Sequence, residues 1–339
     1  MSDIVQAARL LEQGGLVAFP TETVYGLGAD AENAQAVAKI YQAKGRPADH
    51  PVIVHLAQAS DPGYWVTSLP SIAQNLIDAF WPGPLTLIMP RAAHIPDAVS
   101  GGQNTVGLRC PSHPIAQALL KEFKAGKGGV AAPSANKIGQ ISPTTAAHVR
   151  AEFCLPDGSI EPLLEMILDG GQSDVGIEST ILDLSRLDYL GPVLLRPGHI
   201  SAEQLAPFLG QLPHAPDAAA PRASGTLAAH YAPRTPLVLI EGDQLLATKA
   251  ALRQVGKTAA VLSHTVLVHG DEVHCLHLPA NSAAYAHGLY SALRQLDQLQ
   301  SDIILVEIPP QSHAWHGVND RLKRAAHDSV GKLAALLLN

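Results

Sequence analysis

The alternation of apolar and polar positions divides the chain into a long run of short elements. Ile4, Ala7, Ala8 and Leu11 fall at helical spacing and stop at Gly14-Gly15, after which 16–19 is an apolar run of strand length. Pro20 closes that strand, and the polar stretch Thr21-Glu22-Thr23-Val24-Tyr25-Gly26 reads as a turn with its hydroxyls at a strand end. Ala34, Val37, Ala38 and Tyr41 mark a helix, with Gly45 suited to its left-handed cap. The pattern then predicts strands at 52–56, 85–89, 105–109 and 130–132, and helices at 71–80 and 114–123. Ser142-Pro143 has the form of a helix start. Strands near 166–168, 177–183 and 193–196 and a helix after Ser201 complete a mixed α/β domain. From about 211 to 234 the large apolar residues thin out and Pro, Ala and His dominate, as in a linker. Beyond it, strands at 236–240, 259–262, 273–278 and 302–308 alternate with helices at 243–255, 281–299 and 318–326, which predicts a small, mostly parallel sheet. The expected domains are thus 1–210, a linker at 211–234, and 235–339.

Composition narrows what such a protein does. Apolar residues make up 47 % of the 339, enough for sizeable cores, while 4 % aromatics argue against a stacking platform for single-stranded nucleic acid. A formal charge of −7 disfavours a surface that attracts RNA or DNA, though not a local basic cavity. Cys110, Cys154 and Cys275 are far apart and make no CxxC pair, which predicts reduced thiols and no zinc site. The first residues lack signal-peptide features, and no apolar run approaches the roughly 20 residues of a membrane helix. A cytoplasmic chain without membrane contact is expected.

The candidate chemistry is anionic recognition. Lys44 and Arg46 stand at a helix end in a loop stiffened by Pro47 and Pro51; they either complement the helix dipole or clamp a phosphate. Alternation puts Thr105, Gly107 and Arg109 on one strand face, where the arginine needs an anionic partner: Glu22, Glu178 or a ligand carboxylate. His55 shares a face with Ile53 and reads most simply as a core histidine. Ser134 and Asn136 follow a strand, either as local turn formers or at the strand end where α/β proteins bind ligands. Gly26-Leu27-Gly28-Ala29-Asp30-Ala31 fits a GxGxxA fingerprint only loosely, and Gly126-Lys127-Gly128-Gly129 is a fragment of a phosphate loop; both read as plain turns. No nucleophile triad, paired-carboxylate signature or metal cluster stands out. The residues alone lead to an α/β enzyme or binder for a phosphate-bearing ligand.

Several segments together resemble one family. Pro20-Thr21-Glu22-Thr23-Val24-Tyr25-Gly26-Leu27-Gly28, Lys44-Gly45-Arg46-Pro47, Trp81-Pro82-Gly83-Pro84-Leu85-Thr86, Ala132-Pro133-Ser134-Ala135-Asn136, Glu178-Ser179-Thr180 and Leu195-Arg196-Pro197-Gly198 stand in the order found in the YrdC-like threonylcarbamoyl-AMP synthases. His230-Tyr231-Ala232-Pro233 and Asn319-Asp320-Arg321-Leu322 resemble the linker and last domain of the family's long form. The resemblance implies a large twisted mixed sheet with surrounding helices, plus a smaller Rossmann-like α/β C-terminal domain. It also implies a reaction: L-threonine, bicarbonate or CO2, and ATP give threonylcarbamoyl-AMP and pyrophosphate for t6A in tRNA. By motif position, Thr23, His55, Arg109, Ala132 and Ser179 would hold threonine. Arg46, His50, Thr105, Ser134, Ser142, Arg196 and Tyr231 would hold ATP, with Tyr231 carried by a linker acting as a lid. Lys44 and Asn136 complete the Lys-x-Arg and Ser-x-Asn pairs, so Lys44, Arg46, Ser134 and Asn136 are the expected catalytic group. Mg2+ would be carried by the ATP phosphates, with no protein metal ligands. The expected partners are the small-molecule substrates and a transient tRNA-modifying transferase that takes the product, with weak direct tRNA binding at most.

Two departures accompany the match. His50 stands where many relatives have asparagine, and 224–231 lacks the basic residues often found before His-Tyr. The alternatives are a double-stranded RNA or tRNA-binding module without adenylate synthesis and, further off, a hydrogenase-maturation carbamoyl-transfer protein or a NAD enzyme.

Overall fold

The computed structural model describes residues 2–267 and 274–338. The chain divides into two units: residues 1–138 with 142–226, and residues 139–141 with 227–339.

The first unit runs α1 (Asp3–Glu12), β1 (Leu16–Phe19), β2 (Gly26–Asp30), α2 (Ala34–Lys44), β3 (Ile53–Leu56), α3 (Ser71–Phe80), β4 (Leu85–Pro90), α4 (Asp97–Ser100), β5 (Thr105–Arg109), α5 (Pro114–Glu122), β6 (Gly129–Ala131), α6 (Ala146–Phe153), β7 (Leu164–Ile167), β8 (Thr180–Asp183), β9 (Val193–Arg196) and α7 (Ala202–Leu209). Its nine strands form one mixed sheet in the order β7-β1-β2-β6-β3-β5-β4-β8-β9. Strand alternation gives the sheet two different faces. One carries Leu27, Val54, Leu87, Leu108 and Leu182 into a single large core with apolar residues of α2, α3, α6 and α7. On the other face the apolar surface is split. Val17, Phe19, Val130 and Ala132 pack under α1 and α5, whereas Ile53, Ile88, Ile181, Val193 and Leu195 pack with Ala220 and Ala223. The polar side chains of that face, His55 and Arg109 among them, are strand neighbours in parallel register.

Two segments differ from the sequence expectation. Gly26–Asp30 is not a turn but a fully buried strand, paired with β1 and β6. A Cβ on Gly28 would lie 2.8 Å from Phe19 and 2.9 Å from Val130, so the strand needs glycine to fit between them. The helix expected at Ser142-Pro143 begins instead at Ala146, capped by Thr145, whose hydroxyl accepts from the His148 amide. Residues 142 and 143 are held otherwise, because the Pro143 carbonyl takes the Tyr25 amide at 2.8 Å.

The second unit contains β10 (Leu237–Ile240), α8 (Gly242–Gln254), β11 (Ala259–Ser263), β12 (Cys275–His277), α9 (Ser282–Gln298), β13 (Ile303–Glu307), α10 (His316–Ala325) and α11 (Lys332–Leu338). Its sheet, in the order β10-β13-β11-β12, is parallel throughout. Val273 of the strand expected at 273–278 lies outside the described residues. Among the described residues no helix is long and apolar enough to cross a membrane.

Candidate active site

Helix α2 ends at Gly45, whose φ of 63° forms the left-handed cap. The cap separates the two cations: Lys44 stays on the buried side of the helix, and Arg46 leaves on the loop. Tyr41 pins that loop, its hydroxyl lying 2.8 Å from the carbonyl oxygens of both His50 and Ala98, between which its one proton is shared. Lys44 is only 3 % exposed, so an exposed helix-dipole role does not describe it. Its Nζ donates to the carbonyl of Ser134 at 2.5 Å and to that of Asn136. Burial, then the nearby Arg46 charge, pushes the Lys44 amine well below its usual range, against the opposing pull of Glu152 and Glu178.

Arg46 donates to the Pro51 carbonyl at 2.9 Å and to Ser224 Oγ at 3.5 Å. Arg196, at the end of β9, donates through Nη1 to the Ser224 carbonyl at 2.7 Å, and through Nε and Nη2 to the carbonyl and hydroxyl of Ser179 at 3.0 and 3.1 Å. One residue of 211–226 therefore meets both guanidinium groups. Ser179 is also paired with Thr86, their hydroxyls 2.8 Å apart. Ser142 is buried and donates to Glu178 Oε1 at 2.5 Å.

The Arg109 group lies at the end of β5, with β4 and β8 between it and the β9 of Arg196. Arg109 Nη2 is 2.6 Å from Glu22 Oε1, and Nη1 donates to Thr23 Oγ1 at 2.8 Å. Of the acceptors open to this arginine at the sequence level, Glu22 is thus the protein partner. His55 sits beside it and meets the Phe19 ring edge-on, with centroids 6.0 Å apart. Burial, then the Arg109 charge, holds the imidazole pKa down at about 3, so it is neutral. Ala132 follows β6, its amide donating to the Ile53 carbonyl at 2.9 Å.

The remaining expected residues stand further out. Thr105 is half-buried at the start of β5, the opposite end of that strand from Arg109. His50 is half-buried, and burial followed by Arg46 lowers its pKa, with Asp49 opposing. Tyr231 belongs to the second unit, where it adopts a φ of 61° and stacks on Tyr290 at 5.8 Å. The Arg321 guanidinium lies 5.3 Å from its ring centroid. The sequence reading passed over Thr86 and Ser224. Alternation along β4 would have put Thr86 on the Arg109 face; Ser224 lies in irregular chain, where no periodicity points to it.

Comparison with known proteins bears on this arrangement. The family model described as "Telomere recombination", of the Sua5, YciO and YrdC proteins, matches residues 9–198. The model described as "Threonylcarbamoyl-AMP synthase, C-terminal domain" matches residues 200–327. The threonylcarbamoyl-AMP synthase of Pyrococcus abyssi is 38 % identical over 333 residues, covering 94 % of this chain and 93 % of the relative. That of Bacillus subtilis is 40 % identical over 341 residues, covering 96 % and 94 %. A crystal structure of Pyrococcus abyssi Sua5 complexed with L-threonine is similar at a TM-score of 0.86 and 35 % identity, covering 96 % of this chain and 94 % of that one. With both domain models matched and relatives aligned over nearly its full length, the chain belongs to the threonylcarbamoyl-AMP synthase family of adenylate-forming nucleotidyltransferases.

Proposed function

We propose that this enzyme condenses L-threonine, bicarbonate-derived CO2 and ATP into threonylcarbamoyl-AMP and pyrophosphate, for t6A formation in tRNA. The observation that carries the reading is the meeting of Arg46 and Arg196 at Ser224, with the buried Lys44 close enough to feel the Arg46 charge. Such a set suits a polyphosphate: two planar forks and one point charge. Arg109, with Thr23 and the neutral His55, suits the carboxylate and polar groups of an amino acid.

In this reading the threonine amine adds to CO2, releasing a proton and giving a carbamate. A carbamate oxygen attacks the α-phosphorus, and the bond to the β-phosphate oxygen breaks as pyrophosphate leaves. No protein nucleophile is required. The chain's work is to align two mutually repelling anions and to neutralise charge growing on the triphosphate. Lys44, Arg46 and Arg196 supply the positive charge, and Ser134 and Asn136 position Lys44 through their carbonyls. ATP is assigned to Arg46, His50, Thr105, Ser134, Ser142, Arg196 and Tyr231, the last by its place in the His-Tyr-Ala-Pro motif. Threonine is assigned to Thr23, His55, Arg109, Ala132 and Ser179. Lys44 and the arginines suit phosphate, not a metal, so Mg2+ is read as riding on the phosphate oxygens, where it neutralises charge. Residues 1–210 are read as the catalytic domain, 211–234 as linker and lid, and 235–339 as the C-terminal domain. Free thiols at Cys110, Cys154 and Cys275 suit a cytoplasmic setting, with the product handed to a tRNA-modifying transferase.

The test incubates the full chain with Mg-ATP, bicarbonate and single amino acids and follows pyrophosphate. Release is expected to require both threonine and bicarbonate. Arg46→Ala should raise KM for ATP and Arg109→Ala that for threonine, each about tenfold or more. Equal release with serine, the reverse pattern of KM changes, or salt-sensitive tRNA binding without turnover would contradict the reading.

A further inference from the structure

Three contacts fix the Arg109 guanidinium before any ligand arrives. Nη2 pairs with Glu22, Nη1 donates to Thr23 Oγ1 at 2.8 Å, and Nε donates to the Gly83 carbonyl at 3.4 Å. A guanidinium has five N–H donors. Nη1 and Nε each spend an N–H on these hydrogen bonds, while Nη2 meets Glu22 as an ion pair without a hydrogen bond. N–H groups therefore remain on both terminal nitrogens, which is what a carboxylate needs for two-point recognition.

Glu22 is itself held from two sides. Its Oε2 accepts the Ser112 amide at 3.1 Å, and its backbone carbonyl accepts the Val175 amide at 2.7 Å. The turn that carries it is closed by Thr21, whose hydroxyl donates to the Val24 carbonyl at 2.7 Å and lies 2.8 Å from the Thr23 hydroxyl. Glu22 is 4 % exposed and Arg109 3 %, so water does not share the pair. An arginine on this apolar sheet face without Glu22 would be an uncompensated buried charge, drawn to whatever acceptor lay nearest.

We propose that Glu22 is the positioning residue for the substrate's carboxylate, acting through Arg109 without touching threonine. This rests on the reading of Arg109 as the carboxylate ligand. The ion pair and the ligand site are then not alternatives: the pair aims the remaining donors of the fork. The Glu22 charge is what holds the guanidinium in place, so a side chain that keeps the shape of Glu22 without its charge does not suffice.

The test uses full-length protein and measures binding of L-threonine, of L-threoninamide (which lacks the carboxylate) and, separately, of Mg-ATP. The unaltered protein is expected to favour threonine over the amide by about tenfold or more. Glu22→Gln should lose most of that preference while its Mg-ATP affinity stays within about twofold, and Glu22→Asp should recover part of it. A Glu22→Gln protein that keeps the preference overturns the proposal. So does one that binds threonine more tightly, since Glu22 would then be competing with the substrate, or one that loses Mg-ATP in parallel. Should the Gln variant fail to fold, the Asp variant decides on the same readout: a selective, partial loss of preference supports the role and an undiminished preference ends it. Absence of any preference in the unaltered protein would instead refute the assignment of Arg109, and the role of Glu22 with it.

Discussion

His55 is a histidine that the fold keeps neutral. Burial is the larger cause and the Arg109 charge the next, and together they hold its pKa at about 3. An unfolded imidazole protonates below about 6.5, so between pH 6.5 and 3 the unfolded chain binds a proton that the folded chain refuses. Stability from this site is therefore intact above pH 6.5 and falls by about 1.4 kcal/mol for each pH unit below it, down to about pH 3. Replacing His55 with Gln, which does not titrate, should flatten that part of the stability profile. Urea midpoints of both proteins from pH 7 to 4.5 provide the check; parallel profiles would mean that His55 is charged in the fold. A neutral imidazole also suits the neighbourhood, because a second cation beside Arg109 would be repelled.

At the scale of elements, β2 shows how close packing dictates composition. Gly28 faces Val17 across the β1 pairing, and a methyl group there would meet Phe19, Val130 and the Val17 carbonyl at 2.8, 2.9 and 3.1 Å. Gly28→Ala should cost about 1–3 kcal/mol through overpacking, read as a lower urea midpoint with unchanged slope. A shift within experimental scatter would mean that the aromatic ring gives way freely. The same strand shows where sequence reading fails. Glycines carry neither the β-branched signal nor the alternation by which 105–109 was legible, so Gly26–Asp30 looked like a turn. Helix 71–80 was legible at both ends because its apolar positions recur at helical period. Ser142-Pro143 misled for another reason: the pair has the chemistry of a helix cap, but a tertiary acceptor, Glu178, takes the hydroxyl, and the helix starts at Ala146 with Thr145 as its cap. Within the site, the need of Arg109 for an anionic partner could be read from one strand, whereas its choice of Glu22 depended on how distant segments fold together.

For the whole molecule, charge and site point in opposite directions. Thirty acidic residues outnumber 23 basic ones, yet Lys44, Arg109 and Arg196 lie buried in the first unit and Arg46 half-buried among them. Cations gathered away from solvent attract a small anion that can enter, and the acidic remainder does little for a long polyanion lying on the surface. The second unit has a core of its own, built around its parallel sheet. At the C-terminal end of β13, Glu307 accepts the amides of His264, Thr265 and Val266 at 2.7, 3.0 and 3.3 Å, together with the Thr265 hydroxyl. Burial alone would raise its pKa, but these bonds outweigh it, and the carboxyl titrates below its usual range. A depressed carboxyl contributes stability that is present above about pH 4.5 and lost as pH falls through its lower folded value. Glu307→Gln removes the charge and leaves amides oriented toward a poorer acceptor. At neutral pH it should destabilise the unit by about 1–3 kcal/mol, and the gap from the unaltered protein should narrow below about pH 4.5. Amide hydrogen exchange gives the reading locally: protection at 264–266 and along β13 should fall in the variant at pH 7. If exchange at those amides were unchanged, the carboxylate would not be what holds the β11 loop, and its low pKa would have no structural consequence.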